Sequence, residues 1–123
     1  MKGFILDYIN ENEYNKLERA LKKYNMLAYK RLNFEYYPAL RHGNFLGELV
    51  KTNKKEGTET YELKLPSDHM FSQVHGDVKL LYTVYGKEKI VMLSTITPSA
   101  ILLEGHKAEL TTYKGVMISK ANA

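Results

Sequence analysis

DVKLLYTVYGKEKIVMLSTITPS, residues Asp77–Ser99, sets two apolar, β-rich runs on either side of the polar turn Gly86-Lys87-Glu88. Leu80, Tyr82 and Val84 share one face at the two-residue period of a strand, and beyond the turn Ile90, Met92 and Ile96 are expected to do the same. The opposite face carries Leu81, Val91 and Leu93. Strands apolar on both faces lie inside a sheet rather than at its rim, so this hairpin is expected at the centre of the fold.

Working outward, Gly3–Ile9 reads as a first strand that stops at Asn10. Asn10 suits a helix N-cap, with Glu13 three residues on to complete a capping box and an acidic first turn that complements the helix dipole. Tyr14, Leu17, Leu21 and Tyr24 then recur at three- and four-residue steps, the stripe of a helix packed on a sheet. Lys16, Arg19, Lys22 and Lys23 give it a basic outer face. Asn25, tolerant of left-handed backbone angles, is the expected stop.

Met26–Tyr37 reads two ways. Leu27, Ala28, Arg31 and Leu32 would extend the helix, whereas Leu32, Phe34 and Tyr36 alternate with Asn33 and Glu35 as in a strand, which is the reading taken from about Arg31 to Pro38. Phe45–Lys51 and Thr58–Leu65 form a second hairpin around the hydrophilic loop Asn53–Gly57. Pro66–Gly76 breaks the pattern, with Ser67-Asp68 suited to cap one helical turn. Ala100–Leu103, Lys107–Tyr113 and Val116–Ser119 read as a closing meander. The expected architecture is a single α+β domain over residues 1–123, an N-terminal helix packed on a curved, mostly antiparallel sheet of six to eight strands.

The 123 residues, 44% of them hydrophobic, suffice for one core without metal or disulfide staples, and the absence of cysteine removes thiolate metal sites. No apolar stretch approaches the roughly 18 residues that span a bilayer, and the N-terminus lacks a signal-peptide core, so a cytoplasmic protein is expected. A net charge of +4 favours polyanionic partners such as RNA, DNA or an acidic protein. Ten tyrosines, no tryptophan and abundant Lys and Asn suit an A/T-rich coding sequence, as in low-GC bacteria, their phages and mobile elements.

All four histidines, His42, His69, His75 and His106, fall in expected turns or loops. His69 and His75, on the segment entering the central hairpin, are placed to share a cleft with Lys79, Tyr82 or Thr95; exposed histidines without a role are the alternative. His-x5-His matches no zinc spacing, and neither a phosphate-binding loop nor a dinucleotide motif is present, so no metal or cofactor is expected. The hydroxyls of Ser94, Thr95, Thr97 and Ser99 could donate to phosphate oxygens, but such a cluster is more often ordinary strand and turn composition. A basic stretch interleaved with aromatics runs through Lys22, Lys23, Tyr29, Lys30, Arg31, Tyr36, Tyr37, Arg41 and His42. It suits single-stranded RNA or DNA, tyrosines stacking on bases while cations meet phosphates, or a protein interface.

The strand-turn-strand Gly76–Thr97, with aromatic and basic residues at its ends, resembles the small metal-independent ribonucleases grouped around RelE, barnase and EndoU. That resemblance implies helical structure against a curved antiparallel sheet, and an RNA-cleaving centre in which one of His69 and His75 takes the ribose 2′-hydroxyl proton. The other protonates the leaving 5′-oxygen, and Lys79 steadies the phosphorane. On this expectation the protein is a ribonuclease, a toxin of a toxin–antitoxin or phage-defence system whose protein partner is an antitoxin. The competing expectation is a non-catalytic binding or inhibitor protein of a phage or mobile element that grips a protein or nucleic acid; on either expectation Lys22, Lys23, Lys30, Arg31 and Arg41 are the nucleic-acid-binding residues. Exposed strand edges would also allow a homodimer.

Overall fold

The computed structural model describes residues 3–66, 76–99 and 102. Five strands, β1 (Ile5–Tyr8), β2 (Glu48–Asn53), β3 (Thr58–Lys64), β4 (Lys79–Tyr85) and β5 (Ile90–Thr97), form one sheet in the order β1-β5-β4-β3-β2. The expected hairpin is β4–β5, at the centre. β1 runs parallel to β5, Ile5 beside Ile90 and Tyr8 beside Leu93, and the other three pairings are antiparallel. Leu63, Leu80, Tyr82, Val84, Val91, Leu93 and Ile96 turn to the buried face.

Helical structure covers that face. Asn10 caps helix α1 (Glu11–Tyr24), its side-chain oxygen accepting from Glu13 N–H at 3.1 Å, as a capping box requires. Tyr14, Leu17, Ala20 and Leu21 form its buried stripe, packed on β1 and β5. Asn25 then joins two helices: its N–H donates to Leu21, ending α1, and its Oδ1 accepts from Ala28 N–H, starting α2 (Met26–Arg31). Its amide nitrogen donates to the Pro66 carbonyl at 3.1 Å, tying this joint to the end of β3. With all these bonds made, a polar side chain is tolerated in the core.

A π turn (Leu32–Tyr36) and helix α3 (Tyr37–Arg41) continue the path. The strand expected from Arg31 to Pro38 is therefore helical. The apolar residues at 32, 34 and 36 do alternate, but only Leu32 is buried, while Phe34 is 81% exposed. Pro38 does not end the helix; it lies in the first turn of α3, where its missing N–H costs nothing. In an unbroken α-helix its ring would crowd the Phe34 carbonyl, and the wider π turn lies immediately before it.

The α+β class and the mostly antiparallel sheet are as expected, with five strands among the described residues where six to eight are expected in all; the segments 107–113 and 116–119 lie outside those residues, as does the 67–75 turn. Four further expectations are corrected. At the start of the supposed meander, Leu102 N–H donates to Pro98 O at 3.1 Å, a helical step. Ile90 and Met92 face away from the core: the β4–β5 register slips between Leu81 and Tyr82, opposite Ser94, and this bulge rotates Ile96 onto the face of Val91 and Leu93. Tyr24 lies outside the buried stripe, and Asn25 adopts φ −150, so its side-chain and backbone bonds rather than a left-handed backbone end α1.

Gly43–Gly47 enters β2 as a turn. At Gly47, with φ +100, a Cβ would lie 2.7 Å from the Glu62 carbonyl oxygen, so only glycine lets β2 start this close to β3. An aromatic row, Phe4, Phe45, Tyr61 and Tyr82, fills the end of the buried face with ring centroids 5.0, 6.0 and 5.3 Å apart. No helix among the described residues is long and apolar enough to cross a membrane.

Candidate nucleic-acid interface

On α1, Asn15, Glu18, Arg19 and Lys22 recur at helical steps of three, one and three, so they project together beside the buried stripe. Across the Asn25 joint α2 brings Tyr29 against them, and the five side chains line an open depression of about 360 Å³. The Lys22 ammonium sits 5.5 Å from the centre of the Tyr29 ring, within the reach of a cation–π contact. Asn33 donates to the Tyr29 carbonyl at 2.9 Å, fastening the start of the π turn to α2.

The floor of this depression is anchored in the core. Tyr37 donates its hydroxyl proton to Glu18, and the Tyr14 and Tyr37 hydroxyl oxygens lie 2.6 Å apart. Since the Tyr37 proton is committed to Glu18, Tyr14 must be the donor to Tyr37. The chain Tyr14 to Tyr37 to Glu18 thus runs from a fully buried phenol to a half-buried carboxylate. Burial drives both phenols well above the ordinary tyrosine pKa, and the Glu18 charge adds to this in each case. Both remain neutral donors under ordinary conditions.

Of the cations expected to contact nucleic acid, Lys22 is in the depression and Lys23 follows it on the last turn of α1. Lys30 and Arg31 are exposed in the last turn of α2, and Arg31 pairs with Glu35 at 3.3 Å. Arg41 ends α3 against β1, where its carbonyl accepts from Phe4 N–H at 2.7 Å and its charge acts on Tyr8. Among the described residues Arg19, Lys22 and Lys30 form no ion pair. Tyr37, one of the interleaved tyrosines, is core. Sequence reasoning missed Asn15, Glu18 and Phe34 as site residues; the i, i+3, i+4, i+7 run through residues 15, 18, 19 and 22 was the available signal.

His69 and His75 lie outside the described residues, as does His106. Lys79 opens β4 on the sheet face away from the helices, its ammonium 2.9 Å from Glu62, a hydrogen-bonded contact that raises its pKa. Thr95 shares that face through its pairing with Leu81, and the Thr97 hydroxyl donates to the Lys79 carbonyl at 3.5 Å. Tyr82 does not join them: it is buried on the opposite face and donates to the Leu46 carbonyl. His42 is exposed and caps α3 through its backbone. Among the described residues no cluster of three or more His, Asp or Glu is placed to hold a metal ion.

No protein-family model matches this chain, and no curated protein or solved structure shows significant similarity to it.

Proposed function

We propose that this protein binds a nucleic acid through the α1–α2 face, with Arg19 and Lys22 on phosphates and Tyr29 beside them. The observation that carries the reading is the depression itself, where cations without ion-pair partners flank an aromatic ring in a recess of nucleotide size. A Lys or Arg already neutralised by a carboxylate gains little from a phosphate; Arg19 and Lys22 release condensed counterions from the nucleic acid at no such cost. Glu18 is the exception within the recess, and held by Tyr37 it offers an acceptor to a base amino group rather than a site for phosphate.

Binding without cutting is the simpler form of this reading. Cleavage by a metal-independent ribonuclease centre rests on His69 and His75, outside the described residues, while the ammonium of Lys79 is engaged by Glu62. The α1–α2 face needs none of the three.

The test is fluorescence anisotropy with a mixed-sequence RNA and the matching DNA at several salt concentrations in EDTA, wild type beside the Arg19→Ala/Lys22→Ala variant. Both residues are exposed, so the variant stays folded. The wild type should bind with a steep salt dependence, and the variant should lose about 1.4 from the slope of log K against log salt, two phosphate contacts at ~0.7 each on a single strand. Equal affinity of the two proteins, or no binding at low salt, overturns the reading. Gel analysis of the same samples separates binding, which leaves the RNA intact, from cleavage.

A further inference from the structure

Phe34 is the most exposed large apolar side chain among the described residues, 81% accessible in the π turn. A phenyl ring held in water on regular backbone gains nothing for folding, and π turns of this kind recur at functional positions. Its neighbours set the chemistry of what it meets. Leu27, Lys30, Arg31 and Phe34 follow one another at steps of three, one and three, all exposed, so two cations stand one helical turn before the ring on the same face. Phe34 follows Tyr29 by five residues on the same helical path, a little over one turn, and its neighbour Asn33 donates to the Tyr29 carbonyl.

Resting on the nucleic-acid reading above, we infer that Phe34 is a stacking platform for an unpaired base and that the ligand is single-stranded. A strand laid along α2 meets Arg19 and Lys22 at the depression, then Lys30 and Arg31, and then the open face of Phe34. A duplex offers phosphates to the same cations, but its bases are already stacked on one another and leave Phe34 nothing to cover. Arg31 would exchange Glu35 for a phosphate, an inexpensive swap because both side chains of that pair are about half exposed, at 49% and 55%. The recognition is of the base face, shared by RNA and DNA; the ribose hydroxyl plays no part in it.

The experiment titrates wild type, Phe34→Ala, Phe34→Tyr and Arg19→Ala/Lys22→Ala against a single-stranded RNA, the same sequence as DNA, and a blunt RNA duplex of equal charge. Truncating so exposed a ring leaves the fold intact, which thermal melting checks. The wild type should prefer either single strand to the duplex. Phe34→Ala should weaken single-strand binding about 5- to 150-fold, the range for losing one base stack, leave duplex binding unchanged, and be rescued by Phe34→Tyr. If Phe34→Ala binds the single strands like wild type while Arg19→Ala/Lys22→Ala is weakened, nucleic-acid binding stands and the platform is refuted. Equal affinity of the wild type for duplex and single strand also refutes it. Failure of the wild type to bind any of the three refutes both readings.

Discussion

Replacing Tyr37 by Phe should destabilise the protein more than replacing Tyr14, and the loss in the double variant should fall short of the sum of the two. Tyr37→Phe removes the donor to Glu18, a hydrogen bond to a charged acceptor worth about 1.5–3 kcal/mol, and strands the fully buried Tyr14 hydroxyl, a further ~1–3 kcal/mol. The expected loss is about 3–5 kcal/mol. Tyr14→Phe removes one neutral bond and leaves the Tyr37–Glu18 contact in place, for about 0.5–1.5 kcal/mol. In the double variant the stranded hydroxyl is gone, so only the Glu18 bond is missing and the total falls to roughly 2–3 kcal/mol. Tyr14→Phe thus destabilises the wild type yet is neutral or stabilising once Tyr37 is Phe. Urea denaturation at neutral pH of the four proteins closes the double-mutant cycle. Additive losses would show that the two hydroxyls do not depend on each other, and the direction assigned to the chain would be wrong.

The buried phenols also predict an alkaline limit. Tyr14, Tyr37 and Tyr82 have folded pKa values raised above the ordinary 10.0, chiefly by burial, so their contribution to stability is complete below about pH 10 and is lost as the pH climbs beyond it. Tyrosinate absorbance followed beside circular dichroism should show exposed tyrosines ionising first and the rest only as the fold is lost; ionisation of all ten before unfolding would contradict it. Gly47→Ala should cost more than about 2 kcal/mol, since positive φ and a 2.7 Å approach to the Glu62 oxygen coincide, whereas Gly57→Ala, at φ +70 in open space, should cost about 1. Comparable urea midpoints for the two variants would refute the close approach. Leu80→Ala should lose about 2–5 kcal/mol and Ile90→Ala about 1 or less, because the first is core and the second is half-exposed on the open sheet face; equal losses would overturn the strand register.

The sheet centre and α1 were legible because each rests on a local rule. Val78–Val84 alternates against a turn, and Asn10 with Glu13 announces the cap. The failures lie where a local rule met a longer one. Leu32, Phe34 and Tyr36 mimic a strand because Phe34, an apolar residue at an outward position, supplies the alternation. Pro38, which reads as the end of a strand, lies in the first turn of α3, and the i, i+4 pair Arg31–Glu35 spans the helical path before it. The Ser94 bulge left no trace in the hydrophobic pattern, since Ile90–Leu93 is apolar throughout and suits either face. The cations of the α1–α2 face were readable one by one. Their meeting with Tyr29 was not, because it depends on Asn25 ending one helix and starting the next within a single residue.

The parallel pairing of β1 with β5 bears on the order in which the polypeptide acquires its shape. β1 and α1 are synthesised well before β5, yet among the described residues β5 is the strand that β1 pairs with, and the stripe of α1 closes over the same strand. Until residues 90–97 have been synthesised, β1 and the stripe of α1 lack the strand they pack on, with only α2 and α3 beside them. A nascent chain halted before Ile90 carries an amphipathic helix with part of its apolar stripe uncovered, a natural substrate for chaperones. Such non-local closure is slow, because the entropy of a loop of more than eighty residues is lost before β1 gains its neighbour. β1, made long before its neighbour, is among the last strands to find its place.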